Sequence, residues 1–355
     1  MKTSRAIGGM VMRGIGVTLC ALLGVLSGGA TAEAYPSTPS GWAALFAGLP
    51  MSGDGMVSVK LDSSRVAFLT GDSIPRAGGQ WAHSTITVVS GSTATMMQPN
   101  YPNLNPYQVI NETGEVYHWL GPAAAPGNNR IYVLAPKVKS TPGVWPGFAS
   151  VGMDVAVFSY TATTGPVFMT FVPAPSGGPV AMEWSGGFVA KGSTLYAFGV
   201  TKDATDGWTG RDVYVARISS FDVASGAWKY GHADALGVMQ WSSDAGTAAP
   251  ILRSSVDGGV ENSFSATWNG TGWKLASRHG GRWGPGQVTE WSTPVLGSPW
   301  LQTTIATVPN DDPSTPENEG AYLAWKHYAV PALPSGQRLM TYNVEGHDAV
   351  WASVP

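Results

Sequence analysis

Ser193-Thr194-Leu195-Tyr196-Ala197-Phe198 is a polar turn that runs straight into an apolar strand. The stretch before it, Met182–Ala190, reads as a second strand, so the two form a β-hairpin. The same turn and strand recur as Ser64-Arg65-Val66-Ala67-Phe68 and Asn129-Arg130-Ile131-Tyr132-Val133. They recur again as Thr271-Gly272-Trp273-Lys274-Leu275 and Gln337-Arg338-Leu339-Met340-Thr341-Tyr342. The second residues of the copies stand at 65, 130, 194, 272 and 338, in steps of 65, 64, 78 and 66. Each copy follows its own strand candidate: Gly55–Leu61, Glu115–Leu120, Met182–Ala190, Asn262–Trp268 and Ala321–Tyr328.

Each unit has room for two further strands, such as Ser84–Ser90 and Arg211–Ile218. Four strands per evenly spaced repeat describe a propeller blade. The expectation is an all-β, five-bladed β-propeller of four-stranded antiparallel blades around a central channel. An irregular β-sandwich would not need the even spacing. Residues 35–47 read as a short arm or turn, and 35–355 as a single domain without an internal linker.

Composition agrees. Charged residues make up 12% of the 355, against a usual ~25%, while Gly 46, Pro 26 and Trp 15 supply turns and aromatic packing. Residues 1–34 read as a secretory signal peptide: Lys2, Arg5 and Arg13 precede the apolar run Ile15–Leu26, and Ala30-Thr31-Ala32 and Ala32-Glu33-Ala34 both fit a cleavage site. Cys20, the only cysteine, lies inside that run behind Leu19, which is too large for a lipoprotein site. The mature chain would then have no disulfide and no thiolate chemistry. It would carry a net charge of −5, which argues against nucleic acid as a partner. No second apolar run approaches the roughly 18 residues of a membrane span. A monomer that is secreted or associated with the cell envelope, and needs no cofactor, is expected.

Propellers gather functional groups at one mouth of the channel. Asp54 precedes the first inner strand, and Asp72 ends its return strand at Gly71-Asp72. Pairing Leu61 with Val66 across the turn brings the two Asp within one residue of facing each other, where Cβ atoms lie about 5 Å apart. Like charges that close are destabilising, and paired carboxylates are what acid/base glycoside hydrolysis requires. The plainer reading makes both residues turn formers beside glycine. His83, His118, Glu183, Glu261 and His327 occupy comparable places in other units. They are candidates for sugar contacts or auxiliary acid/base groups, and each alone could equally be an internally bonded polar residue. Trp81, Trp119, Trp145, Trp184, Trp208 and Trp325 offer flat faces on which sugars stack, although packing between blades is the commoner use.

Other chemistries lack their residues. There is no nucleophile elbow, no phosphate-binding loop and no H-E-x-x-H, and the 6 His are scattered, so no metal site is expected. Asp311-Asp312 with Glu317 and Glu319 lacks the glycine and alternating ligands of a calcium loop and reads as solvated. Asp206, Arg211 and Asp212 read as a solvated loop as well.

Several stretches resemble a secreted, mainly actinobacterial family, the domain-of-unknown-function 4185 group, recognised in part as the endo-D-arabinanases of glycoside hydrolase family 183. They are Ser52-Gly53-Asp54-Gly55, Leu69-Thr70-Gly71-Asp72-Ser73 and Trp81-Ala82-His83-Ser84 in the first unit. Glu183-Trp184-Ser185-Gly186-Gly187 and Arg211-Asp212-Val213-Tyr214 stand in the third, and Tyr322-Leu323-Ala324-Trp325-Lys326-His327 with Thr341-Tyr342-Asn343 in the fifth. Gly53 and Thr70 depart from the threonine and phenylalanine usual beside the two Asp. The resemblance implies a five-bladed propeller that cuts α-linked D-arabinofuranose chains of arabinogalactan or lipoarabinomannan. Asp54 and Asp72 would be its catalytic carboxylates, with substrate contacts from His83, Trp119, Glu183, Trp184, His327 and Asn343. Inversion is expected, and which Asp is acid or base stays open. A non-catalytic propeller that binds envelope glycan, or a hydrolase of another glycan, is the alternative.

Overall fold

The computed structural model describes residues 34–143, 147–202, 210–279, 286–308, 322–344 and 348–355. Residues 1–33, which hold all but the last residue of the expected signal peptide, lie outside them, as do Trp145, Asp206, Trp208 and the acidic stretch from Asp311 to Glu319. The sheets are arranged as a five-bladed β-propeller of antiparallel blades. The first blade runs outward through Val57–Lys60, Arg65–Thr70, Thr85–Ser90 and Thr93–Met96. The fourth runs through Ser265–Trp268, Trp273–His279, Gly286–Thr293 and Leu301–Val308. In the fifth, Tyr322–Lys326 pairs with Arg338–Val344 and that with Asp348–Val354. Among the described residues this blade has 3 strands, while the third blade has 5, ending in Met239–Ser242. The third blade thus adds a strand to the four expected.

The polar turns read from the sequence are the inner hairpin turns. In the first blade Asp62 accepts from the Ser64 amide at 2.9 Å and from Arg65 Nε at 2.7 Å. This closes the turn one residue tighter than expected, so that Val66 pairs with Lys60 rather than Leu61. In the third, Lys191 pairs with Thr194 across Gly192-Ser193, and Gly192 supplies the positive φ of 57° that so short a loop demands.

The second blade departs from the expected strand Glu115–Leu120. Its inner position is split into Val116–His118 and Ala123–Ala124, both paired with Arg130–Ser140. Gly121-Pro122 causes the break. Pro122 has no amide proton, and a Cβ at Gly121 would sit 2.6 Å from the Leu134 carbonyl. The five inner strands surround a cavity of about 250 Å³, to which each contributes small or apolar groups: Val59, Ala124, Val189, Ala266 and Trp325.

Residues 39–47 are a helix, Pro39–Ala47, not a turn. Thr38 caps it by accepting from the Gly41 amide, and Pro39 stands at the position where its missing donor costs nothing. Its buried face, Trp42 and Phe46, packs with Phe68 of the first blade and Trp351 of the fifth. A propeller must join its last blade to its first, and here an aromatic cluster makes the join. No helix among the described residues is long and apolar enough to cross a membrane.

Candidate active site

Inner strands begin at one mouth of the channel. A second cavity of about 190 Å³ lies there, lined by Asp54 from the first blade, Trp119 from the second and Glu183 with Ser185 from the third. Asn262 and Ser263 of the fourth blade and Trp325 of the fifth complete the ring. Pro122 and Trp325 border both cavities and form the floor of the mouth. One wall is the hairpin of Arg130–Ser140 and Phe148–Ser159, which brings Pro136, Val138 and Phe148 to the rim.

Asp54 stands opposite Asp72. Its amide donates to the Asp72 carbonyl at 3.1 Å, and its own carbonyl accepts from the Gly71 amide at 3.3 Å. The expected juxtaposition is present, but the two carboxylates do different things. Asp54 lines the cavity, with Oδ1 within 3.4 Å of the place a Gly71 Cβ would occupy. Asp72 is not among the lining residues. Its Oδ1 accepts from Trp119 Nε1 at 2.8 Å and bonds His83 Nδ1 at 2.7 Å, behind the wall that Trp119 makes. His83 in turn lies flat on Tyr117, ring centroids 3.6 Å apart. Burial, and then the Asp72 charge, push the Tyr117 hydroxyl up to about 12.

Glu183 reaches the cavity because of a local irregularity. The register of its strand shifts between Glu183, opposite Val200, and Gly187, opposite Phe198. Such a bulge re-aims side chains and is frequent beside active sites. Gly186 makes room for it: a Cβ there would meet Phe264 of the fourth blade at 2.6 Å. The mouth is tied across the same two blades, Ser185 Oγ donating to the Asn262 carbonyl and Ser263 Oγ to the Ser185 carbonyl, each at 3.0 Å.

Four expected substrate contacts lie elsewhere: His83, which is held on Asp72 and Tyr117 and does not line the cavity, and three more. Trp184 is buried against Gly199 and Tyr230, its Nε1 donating to the Gly177 carbonyl at 3.1 Å. The bulge turns its neighbour Glu183 to the cavity and Trp184 to the core. His327 follows the end of its inner strand, away from the mouth. It is fully buried between Phe68 and Trp351, with Nε2 bonded to Thr341 Oγ1 at 2.9 Å. Burial lowers its pKa to about 3. Asn343 is at the mouth end of its strand, opposite Tyr322, but is buried and does not line the cavity.

The other candidates are structural as well. His118 is buried on Phe171, bonding Glu112 at 2.5 Å and Asp154 at 3.0 Å. Glu261 forms a buried ion pair with Arg278 at 3.6 Å. Arg211 and Asp212 are not a solvated pair: Arg211 donates to the Thr201 carbonyl, and Asp212 accepts from the Ser254 amide and hydroxyl. The sequence reading missed Asn262, Ser263 and Phe148, whose places at the rim follow from blade packing and leave no local mark.

The architecture and this mouth define a five-bladed propeller with two acidic side chains from different blades facing one aromatic-walled cavity. The chain belongs to the family described as Domain of unknown function (DUF5005), whose sequence model matches residues 81–352. The match includes Trp119 and Glu183 and begins after Asp54 and Asp72. The resemblance to the 4185 group rests on the quoted motifs alone. No match is found among curated proteins. A protein of Bacteroides ovatus described as a candidate hydrolase has a similar fold, with a TM-score of 0.63 and 16% identity over 89% of each chain. A Dyadobacter fermentans protein of unknown function has a TM-score of 0.47 at 11% identity, covering 91% of this chain and 96% of that one. An exo-1,5-α-L-arabinanase from a bovine ruminal metagenomic library has a TM-score of 0.44 at 8% identity, covering 85% and 92%.

Proposed function

We propose that the protein is a secreted glycoside hydrolase that uses Asp54 and Glu183 as its acid/base pair. One observation carries the reading: carboxylates from the first and third blades line the same cavity, beside the indole of Trp119. Hydrolysis of a glycosidic bond needs a proton donor on the leaving oxygen and an acceptor for the attacking water. Groups on two non-adjacent blades leave room for that water between them, which favours inversion. Neighbours on one hairpin, such as Asp54 and Asp72, would suit the shorter separation of a retaining enzyme. The Bacteroides protein of like fold, described as a candidate hydrolase, fits this reading. The signal-like residues 1–34 support secretion.

The motifs shared with the endo-D-arabinanase group make α-linked D-arabinofuranose chains the first substrate to try. The test is incubation of the mature protein with arabinogalactan, arabinan and xylan, followed by analysis of released oligosaccharides and of their anomeric form by NMR. Release of α-configured product would contradict the reading of inversion at an α linkage. Binding without cleavage of any of the three would replace a hydrolase with a glycan-binding propeller.

A further inference from the structure

We infer that Asp72 is a positioning residue that locks the Trp119 indole as a stacking platform for a sugar ring. The inference deepens the hydrolase reading and rests on it. Tryptophan has one polar atom, the indole N–H. In Trp119 that N–H is spent on Asp72 Oδ1 at 2.8 Å. Trp119 therefore presents only carbon to the cavity it lines. A hydrogen bond to a charged acceptor is roughly twice as strong as one between neutral groups, so the clamp is a firm one.

Two further contacts fix the ring. Phe148 packs edge-on against it, centroids 4.6 Å apart and planes at 76°. The Gly71 backbone lies close to the base of the ring, where a Cβ would lie 3.4 Å from Trp119 Cγ. Asp72 is itself held, because the same Oδ1 also bonds His83 Nδ1, and His83 stacks on Tyr117, two residues before Trp119. Asp72, Trp119, Tyr117 and His83 thus form a closed loop of contacts behind the wall. Work on a substrate proton needs a carboxyl within about 2.6–3.2 Å of the reacting group, directly or through one water. Asp72 does not line the cavity, while its opposite number Asp54 does.

Asp54 and Glu183 also line this cavity, and the C–H face of a furanose or pyranose ring between them and Trp119 suits the indole.

The test compares wild type with Asp72→Asn, Asp72→Ala and Trp119→Ala on arabinogalactan, with xylan as second substrate and thermal unfolding of each variant as control. For Asp72→Ala and Trp119→Ala, KM should rise about tenfold, the size of one lost buried hydrogen bond, while kcat moves much less. Asp72→Asn should restore KM, since its amide oxygen still accepts from Trp119, and should keep both limbs of the pH–rate profile. A fall in kcat of roughly 100-fold or more in both Asp72 variants, or loss of one limb, would make Asp72 a catalytic residue and overturn the inference. So would a KM in Asp72→Ala equal to wild type. If wild type binds these glycans without cleaving them, the hydrolase reading fails alone, and calorimetric affinities take the place of KM with the same expected pattern. A wild type that neither binds nor cleaves them overturns the inference too.

Discussion

The Asp54 amide donates to the Asp72 carbonyl at 3.1 Å, so the two residues face each other across the open end of one hairpin. Their carboxylates nevertheless part company. Asp54 enters the channel mouth, and Asp72 turns behind Trp119 to accept its indole proton. The partner of Asp54 across the cavity is Glu183, from a strand more than a hundred residues further along the chain.

Asp54→Asn and Glu183→Gln should each lower kcat by about 10²–10⁴-fold and leave glycan binding largely intact, because each amide keeps the shape but cannot exchange the proton. Aryl glycosides with a good leaving group sort the roles. The variant that still cleaves them has lost the acid, since such a leaving group needs no proton. Near-normal cleavage by both variants, measured by reducing ends released, would show that the pair has been chosen wrongly.

His327 should make folding sensitive to acid. Burial lowers its pKa to about 3, whereas an unfolded chain takes up that proton near the usual ~6.5. Its stabilisation is complete above that higher value and is lost as pH falls toward the lower one. The unfolded state gains up to about 1.4 kcal/mol per pH unit in this window. His327→Gln should flatten the dependence of denaturant midpoint on pH across the window. Parallel profiles for the two proteins would mean that the folded state admits the proton.

Trp42 should matter more than its place on a short helix suggests. It is fully buried, donates to the Pro36 carbonyl at 2.9 Å and stacks on Tyr35 and Trp351. Removing a buried Trp side chain costs about 3–5 kcal/mol, and this one belongs to the cluster that closes the ring. Chemical denaturation of Trp42→Ala should report a loss of that size. A loss under about 1 kcal/mol would fall in the range of ordinary surface substitutions and assign closure to the strands alone.

Secretion should remove the leader. The extracellular protein is expected to start near Glu33 or Tyr35 and to contain no cysteine, since Cys20 is the only one. N-terminal sequencing of material from the culture medium checks this. A chain starting at Met1, or one carrying lipid on Cys20, would contradict it.

The sequence by itself determined the architecture. Alternating apolar residues and turn-forming Asp62, Gly192 and Asn269 are local signals that fix five inner hairpins, and their even spacing fixes how the hairpins repeat around the channel. It also brought Asp54 opposite Asp72, because hairpin register follows from the turn and needs no other part of the chain. Only the tertiary structure decided what those groups face. Glu183 reaches the mouth, and Trp184 the core, through a bulge that depends on Gly186 and on Phe264 of another blade. In the fifth blade Trp325 borders the mouth cavity, whereas Asn343 is buried and His327 is buried against Phe68 of the first blade. Asp72 differs from Asp54 through its bonds to His83 and to Trp119, the latter 47 residues away. Strand pairing is written in short-range pattern, whereas the environment of a side chain is made by residues brought to it from other blades.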